Sequence, residues 1–363
     1  KSQEAHEAEL EYRLKRAIQL RLRSDVPLGI FLSGGLDSSA VVGLLSSMVA
    51  EPLKTFSIGF EHGRKYNELN YARLVSRHFG TEHYECILTP AEFQASIPDF
   101  IWYMDEPVTE SAAISLYHVS KLAREHVTVV LSGEGADELF AGYTIYMYML
   151  LLEHYRRLPA SMRWLLNSLL KRMGYKWAKY ATFSELPLEK RYLGVSLYET
   201  HQKDILYTDE FRLELAGTSP LDTIDTIYTQ TCKWPPLNRM LALDMQTWLP
   251  DDLLIKADRM SMAHSLELRV PFLDYTVVEY AATLPPNLKV RPPVKKYILK
   301  RILRNVLPSK ILHRRKMGFP TPLAVMFRTD LSAYVKAILT DQITQQRGIF
   351  DVHRVSQLIH DHE

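Results

Sequence analysis

Cysteine is nearly absent: Cys86 and Cys232 are the only two in 363 residues. They make no Cys-x-x-Cys pair and have no metal-ligand spacing, which excludes a disulfide scaffold and a thiolate metal centre. Cys86 sits on an alternating run with Tyr84 and Leu88, the pattern of a core thiol. Cys232 precedes Trp234-Pro235-Pro236 with no activating neighbour. Long apolar runs are missing as well, and nothing approaches the roughly 18 residues a membrane span needs. The opening KSQEAHEAELEYRLKR is charged where a secretory signal would be apolar. A net charge of +2 is too small to argue for a nucleic-acid or membrane partner. These exclusions leave a reduced, cytoplasmic enzyme, long enough to bury a large core in two closely joined lobes.

Hydrophobic spacing then orders the chain. Residues 4–23 read as an amphipathic helix with Leu10, Leu14, Ala17 and Ile18 on one face. Apolar or alternating runs at 29–32, 53–60, 84–88 and 127–131 read as strands. Helical spacing separates them, including Tyr71 to Phe79 with Gly80 as a C-cap and a segment from Ala112 to His126. Strands alternating with helices predict an α/β fold, a parallel twisted sheet with helices on both faces. From about residue 151 to 363 the chain is rich in Leu, Met and aromatic residues punctuated by proline, which predicts a mostly helical second lobe. The expected units are therefore a helix at 1–23, an α/β core at 24–150 and a helical lobe at 151–363.

Two loops carry chemistry. Phe31-Leu32-Ser33-Gly34-Gly35-Leu36-Asp37-Ser38-Ser39 falls between a strand and a helix. Paired glycines let the backbone turn tightly around a bulky anion, and the helix start directs unpaired N–H groups at it. The lysine-bearing GxxxxGK[ST] pattern is missing, so this is a phosphate cradle of another kind. Ser132-Gly133-Glu134-Gly135-Ala136-Asp137-Glu138 repeats the design after the strand at 127–131. In a parallel sheet both loops open at the same end, where ligands bind. Two carboxylates facing phosphates repel unless Mg²⁺ joins them, and Asp37 and Asp137 are the natural pair to hold it. A third loop, His313-Arg314-Arg315-Lys316-Met317-Gly318-Phe319-Pro320-Thr321-Pro322, could neutralise a departing pyrophosphate and, through Gly318, act as a lid.

SGGLDSS resembles the PP-loop of the ATP pyrophosphatases. With SGEGADE, LPDDLLIKADR at 249–259, ELRVPFLD at 267–274 and RRKMGFPTP, the chain is similar to the synthetase domain of the bacterial-type glutamine-hydrolysing asparagine synthetases, over roughly residues 10–330. The resemblance implies an adenine nucleotide alpha hydrolase-like fold. It implies that Leu32, Ser33, Gly34, Gly35, Asp37, Ser38 and Ser39 cradle ATP, with Ile58, Ser132 and Gly133 bordering the nucleotide. It further implies Glu134 in proton transfer, Lys316 on the phosphates, and Asp37 and Asp137 on Mg²⁺. Glu267, Arg269 and Asp274 are expected to be a buried charged cluster bracing the site.

The implied reaction adenylates the β-carboxylate of aspartate, releases pyrophosphate, and lets ammonia displace AMP to give asparagine. The family carries an amino-terminal glutaminase domain led by a catalytic cysteine, whereas this chain starts at Lys1. The expectation is a piece of a longer protein, with glutaminase in cis or on a separate chain, and a homodimer as a further candidate assembly. The alternative is a related amide-forming enzyme acting on another carboxylate, of the β-lactam synthetase, lasso-peptide cyclase or sugar-acid amidotransferase type. The residues that read the acceptor are open, with Asp105, Glu106, Glu110 and Arg269 as polar candidates.

Overall fold

A computed structural model describes residues 1–61, 67–108, 110–172, 174, 182–195, 204–316 and 321–363. Helix α1 (Gln3–Arg21) starts at Ser2, whose side chain accepts the Ala5 N–H, and buries Leu10, Leu14, Ala17 and Ile18. Strand β1 (Leu28–Phe31) leads through the first glycine loop into α2 (Leu36–Ser46). Then follow β2 (Lys54–Phe60), α3 (Leu69–Phe79) and β3 (Glu82–Leu88). Helix α3 stops at Gly80, which takes a left-handed φ of 67° that a glycine accommodates without strain. Helices α4 (Pro90–Ala95), α5 (Ile97–Met104) and α6 (Ala112–Arg124) lead to β4 (Val129–Leu131). The second glycine loop opens α7 (Ala136–Phe140), and α8 (Thr144–Arg156) begins the helical region.

Within the five-stranded sheet every pairing is parallel, in the order β3-β2-β1-β4-β5, as the α/β expectation requires. The last strand was not foreseen. β5 (Glu267–Arg269) returns from far along the chain to pair with β4, Val129 opposite Glu267 and Leu131 opposite Arg269. Three residues of Glu-Leu-Arg carry too little alternation to read as a strand.

Side chains alternate across the sheet and divide the core into two layers. Ile30, Leu32 and Leu131 face α1, α2 and the helices at 275–283 and 297–302. Phe31, Phe56, Ile58 and Val130 face α6, with Met326 and Leu331 beyond. A third core, around Tyr146, Tyr192, Tyr228, Met240 and Leu241, lies in the helical region. No helix among the described residues is long and apolar enough to cross a membrane.

The ELRVPFLD segment differs from its expected role. Glu267 is exposed, and Arg269 bonds Glu267 and donates to the carbonyls of Arg21 (2.7 Å) and Arg23 (2.9 Å). Buried Asp274 accepts from Arg21 at 2.7 Å and caps the next helix through Thr276. These charges clamp the end of α1 to the sheet; they do not face the cavity. Burial works against the Asp274 carboxylate, but its bonds from Thr276 and Arg21 hold it below the usual range.

Candidate active site

Chain order reverses between β1 and β4: β2 and β3 add on one side of β1, β4 and β5 on the other. That is where an open parallel sheet leaves a crevice at its strand C-termini. Both glycine loops leave from there. Their approach is close enough that a Cβ on Gly133 would sit 2.7 Å from the backbone of Asp37 and Ser38. The crevice opens into a cavity of about 540 Å³, the size of an ordinary small-molecule site.

The first loop is held from behind. Leu32 donates its N–H to the Phe56 carbonyl at 2.8 Å, and the Ser57 hydroxyl donates to the Leu32 carbonyl. Ser38 Oγ accepts the Ser33 N–H at 3.2 Å and lies 3.1 Å from Ser33 Oγ, while Ser33 Oγ accepts the Gly35 N–H at 3.2 Å. Gly34 takes φ 68° against the backbone of Tyr71 and Ala72. Arg314 locks it there, donating to the Gly34 carbonyl at 2.9 Å, pairing with Glu68 and stacking 3.9 Å from the centre of the Tyr71 ring. Leu32, Ser33, Asp37, Ser38, Ile58, Ser132 and Gly133 line the cavity. Gly34, Gly35 and Ser39 are set back from its wall, and Ser39 is fully buried.

Four charges meet at the crevice. Lys296 Nζ lies 2.6 Å from Asp37 Oδ1 and 2.6 Å from Asp137 Oδ1. Lys316 Nζ lies 2.5 Å from Asp137 Oδ2 and 4.0 Å from Asp37 Oδ2. Both carboxylates are thus bridged by ammonium groups. Burial opposes the charge on Asp137, but Lys296 and Lys316 override it and hold the carboxyl well below its ordinary range. Burial likewise opposes the charge on Lys316, and Asp137 and Asp37 override it in the other direction, raising its pKa.

Lys296 is the member that sequence reading missed. It is buried, in a left-handed backbone conformation at φ 51°, and strain of this kind collects at functional sites. Gly142 makes room for it, since a Cβ there would collide with Asp137 Oδ1 and Lys296 Cε. The one sequence signal was a Lys-Lys pair after Pro292-Pro293, which reads equally well as a solvated turn.

Glu134 and Glu138 form the acidic floor. Burial, and then the charge of Glu138, push the Glu134 carboxyl up to about 8. Burial and Asp137 push Glu138 up to about 7, although Tyr143 donates to it at 2.5 Å. Glu134 Oε2 and Ser132 Oγ are buried without a hydrogen-bond partner among the described residues, as groups awaiting a ligand would be. The same cavity has an apolar lining formed by Phe31, Phe56, Ile58, Phe60, Leu69 and Val119.

Of the acceptor-reading candidates, only Glu110 lines the cavity. Asp105 is exposed beside Arg259, Glu106 is exposed, and Arg269 is committed to α1. The lid expectation at Gly318 falls outside the described residues. Among the described residues no three His, Cys, Asp or Glu side chains converge as a metal site. The donor set still fits Mg²⁺ in its usual setting, one or two carboxylates completed by substrate phosphates, because a single cation already reaches both Asp37 and Asp137.

The family model described as asparagine synthase matches residues 9–363. The chain belongs to the asparagine synthase family. It is 36% identical to asparagine synthetase (glutamine-hydrolyzing) 1 of Bacillus subtilis, over 95% of this chain and 54% of that protein. Asparagine synthetase (glutamine-hydrolyzing) 3 of the same organism is 27% identical, over 94% of this chain and 53% of its own length. Amidase chyE of Penicillium rubens is 25% identical, over 96% and 57%. The chain spans about half the length of the curated relatives it matches.

Proposed function

We propose that this chain makes an amide from a carboxylate and ammonia at the expense of ATP, with aspartate as the carboxylate and asparagine and AMP as products. The observation that carries the reading is that Asp37, Asp137, Lys316 and Glu134 line one cavity with an apolar slot, and that Lys296 bridges the two aspartates from behind its wall. The slot suits an adenine ring. The Ser33, Ser38 and loop N–H donors suit the phosphates. A carboxylate oxygen of the acceptor attacks the α-phosphorus, and the bond to the β-phosphate oxygen breaks.

Negative charge then grows on pyrophosphate. Lys296 and Lys316 are already paired with carboxylates and can lean onto the phosphate oxygens without first being desolvated. Preorganised donors of this kind contribute about 2.7–4 kcal/mol each. Mg²⁺, held by Asp37 and Asp137, would draw charge from the same phosphates. Ammonia next attacks the acyl carbon. Glu134, raised to about 8, has the proton affinity to take the proton that the nitrogen sheds, and AMP leaves.

An ammonia supply from a glutaminase domain, in cis or on a separate chain, belongs to the same reading; the relatives' names and their greater length support it. A cytoplasmic setting fits the two free thiols. The test is pyrophosphate release with ATP, ammonia and Mg²⁺, comparing aspartate with a panel of carboxylates. Aspartate should stimulate it most; stimulation by a different carboxylate alone would transfer the chain to another amide-forming chemistry.

A further inference from the structure

The cavity has a second polar wall that the phosphate chemistry does not use. Glu110 stands just before α6, and Lys256 lies in the first turn of the Ile255–Met262 helix; both line the cavity with Trp248 and Leu253. The two helices pack directly on each other. Lys256 is only 5% exposed. Its Nζ pairs with Glu110 Oε2 and lies 3.6 Å from Asp252 Oδ2. Both of those oxygens are buried, and Asp252 Oδ2 has no hydrogen-bond partner among the described residues.

Immediately before Lys256 the chain makes a π-helical turn, Leu249–Leu254. Such turns are rare, add a residue to the helix, and gather at functional sites. Here the turn carries Asp252 at its centre, one helical turn ahead of Lys256. Two carboxylates against one ammonium is an unbalanced arrangement for bracing alone, because a buried ion pair stays costly unless every member is matched. Burial shows the strain in both directions: it pushes Lys256 down to about 7 and Asp252 up to about 6.

We propose that Glu110 and Lys256 are the acceptor-reading pair, taking respectively the α-ammonium and the α-carboxylate of an α-amino acid, with Asp252 as a positioning residue for Lys256. This rests on the reading of the cavity as an ATP-dependent carboxylate-activating site. The chemistry is an exchange of partners. In the free protein Glu110 and Lys256 satisfy each other; when a zwitterion enters, its ammonium replaces Lys256 beside Glu110 and its carboxylate replaces Glu110 beside Lys256. No buried charge is left alone at either end of the exchange. An acceptor that lacks one of the two groups would leave one protein charge stranded, and sites built around a buried polar partner reject such analogues strongly.

Three acceptors separate the contributions. Aspartate has both groups, succinate lacks the α-ammonium, and β-alanine lacks the α-carboxylate. The measurement is kcat/KM for pyrophosphate release by the full chain with ATP, ammonia and each acid. The unaltered chain should favour aspartate over both analogues by about 10²-fold or more. Glu110→Gln should cut the preference over succinate at least tenfold and leave the preference over β-alanine. Lys256→Met should do the reverse. Binding of a non-hydrolysable ATP analogue reports that each variant is folded. If Lys256→Met does not fold, the Glu110→Gln/Lys256→Met double variant removes both charges together and should lose both preferences. Variants that slow all three acids equally would mark a bracing role and overturn the proposal. An unaltered chain inactive with every acid would instead sink the functional reading, and this inference with it.

Discussion

Asp244 in the helical region and Asp137 at the cavity are both buried carboxylates, but their partners differ in kind. Asp244 accepts from the hydroxyls of Tyr146 (2.5 Å) and Tyr192, and from the Val195 N–H at 3.1 Å. Asp137 is met by two ammonium groups. Burial raises Asp244 to about 6 against the pull of its neutral donors, whereas the two lysines hold Asp137 down despite burial. Neutral hydroxyls fix a carboxylate in place and have nothing to transfer. Paired cations can be handed to an incoming anion. The first cluster serves architecture, and through Val195 on the cavity wall it also shapes the site. The second is suited to chemistry.

The comparison is sharpest under substitution. Lys316→Ala removes a cation from the charged cluster, so pyrophosphate release should fall by about 10²–10³-fold. Its side chain is a third exposed and Lys296 still bridges the aspartates, so the melting temperature should barely move. A large fall in melting temperature would place Lys316 with the architectural group. Asp244→Ala should do the opposite, costing about 3 kcal/mol of stability because two buried tyrosine hydroxyls lose their acceptor. Urea unfolding checks it, and Asp244→Asn, which keeps an acceptor oxygen, should cost less. Equal stability in Asp244→Ala would remove the contrast.

The two clusters were unequally visible from the residues. SGGLDSS and SGEGADE stand out because glycine pairs and carboxylates at a strand end are rare in combination, and parallel topology alone brings them together. Lys296 was invisible because its importance lies in a contact with Asp37, distant in sequence, and in space that Gly142 leaves open. Asp105 and Glu106 looked like acceptor readers because they neighbour the site in sequence, yet Asp105 points to solvent beside Arg259. The pairing of Glu110 with Lys256 depends on two helices meeting, which no local pattern encodes. Asp244 gave no signal either: an acid on an apolar helix shows its tyrosine partners only once three separate segments pack.

Gly142→Ala probes the charged cluster without deleting any charge. The new methyl would overlap Asp137 Oδ1 and the Lys296 Cε, so Lys296 must withdraw from between the aspartates. Overpacking of this sort costs about 1–3 kcal/mol. Activity should drop about tenfold, measured as pyrophosphate release at saturating ATP, with Asp37 and Asp137 left closer to mutual repulsion. Unchanged activity would show that Lys296 is not needed where it sits.

The smallest effect is a pH dependence that separates Glu134 from its surroundings. Its carboxyl is raised to about 8 from an ordinary value near 4.5. Between those values the folded chain holds a proton that the unfolded chain has released, so the stability gained from the neutral form is full at acidic pH and is lost as pH rises through about 8. Glu134→Gln has no proton to lose, and its melting temperature should fall less than that of the unaltered chain between pH 5 and about 8.5. Catalysis has the opposite sign, because the proton-accepting carboxylate forms only as pH rises. A chain whose melting temperature has the same pH slope with and without the Glu134 carboxyl would show that this group is not held neutral, and that the acidic floor of the cavity belongs electrostatically with Asp137.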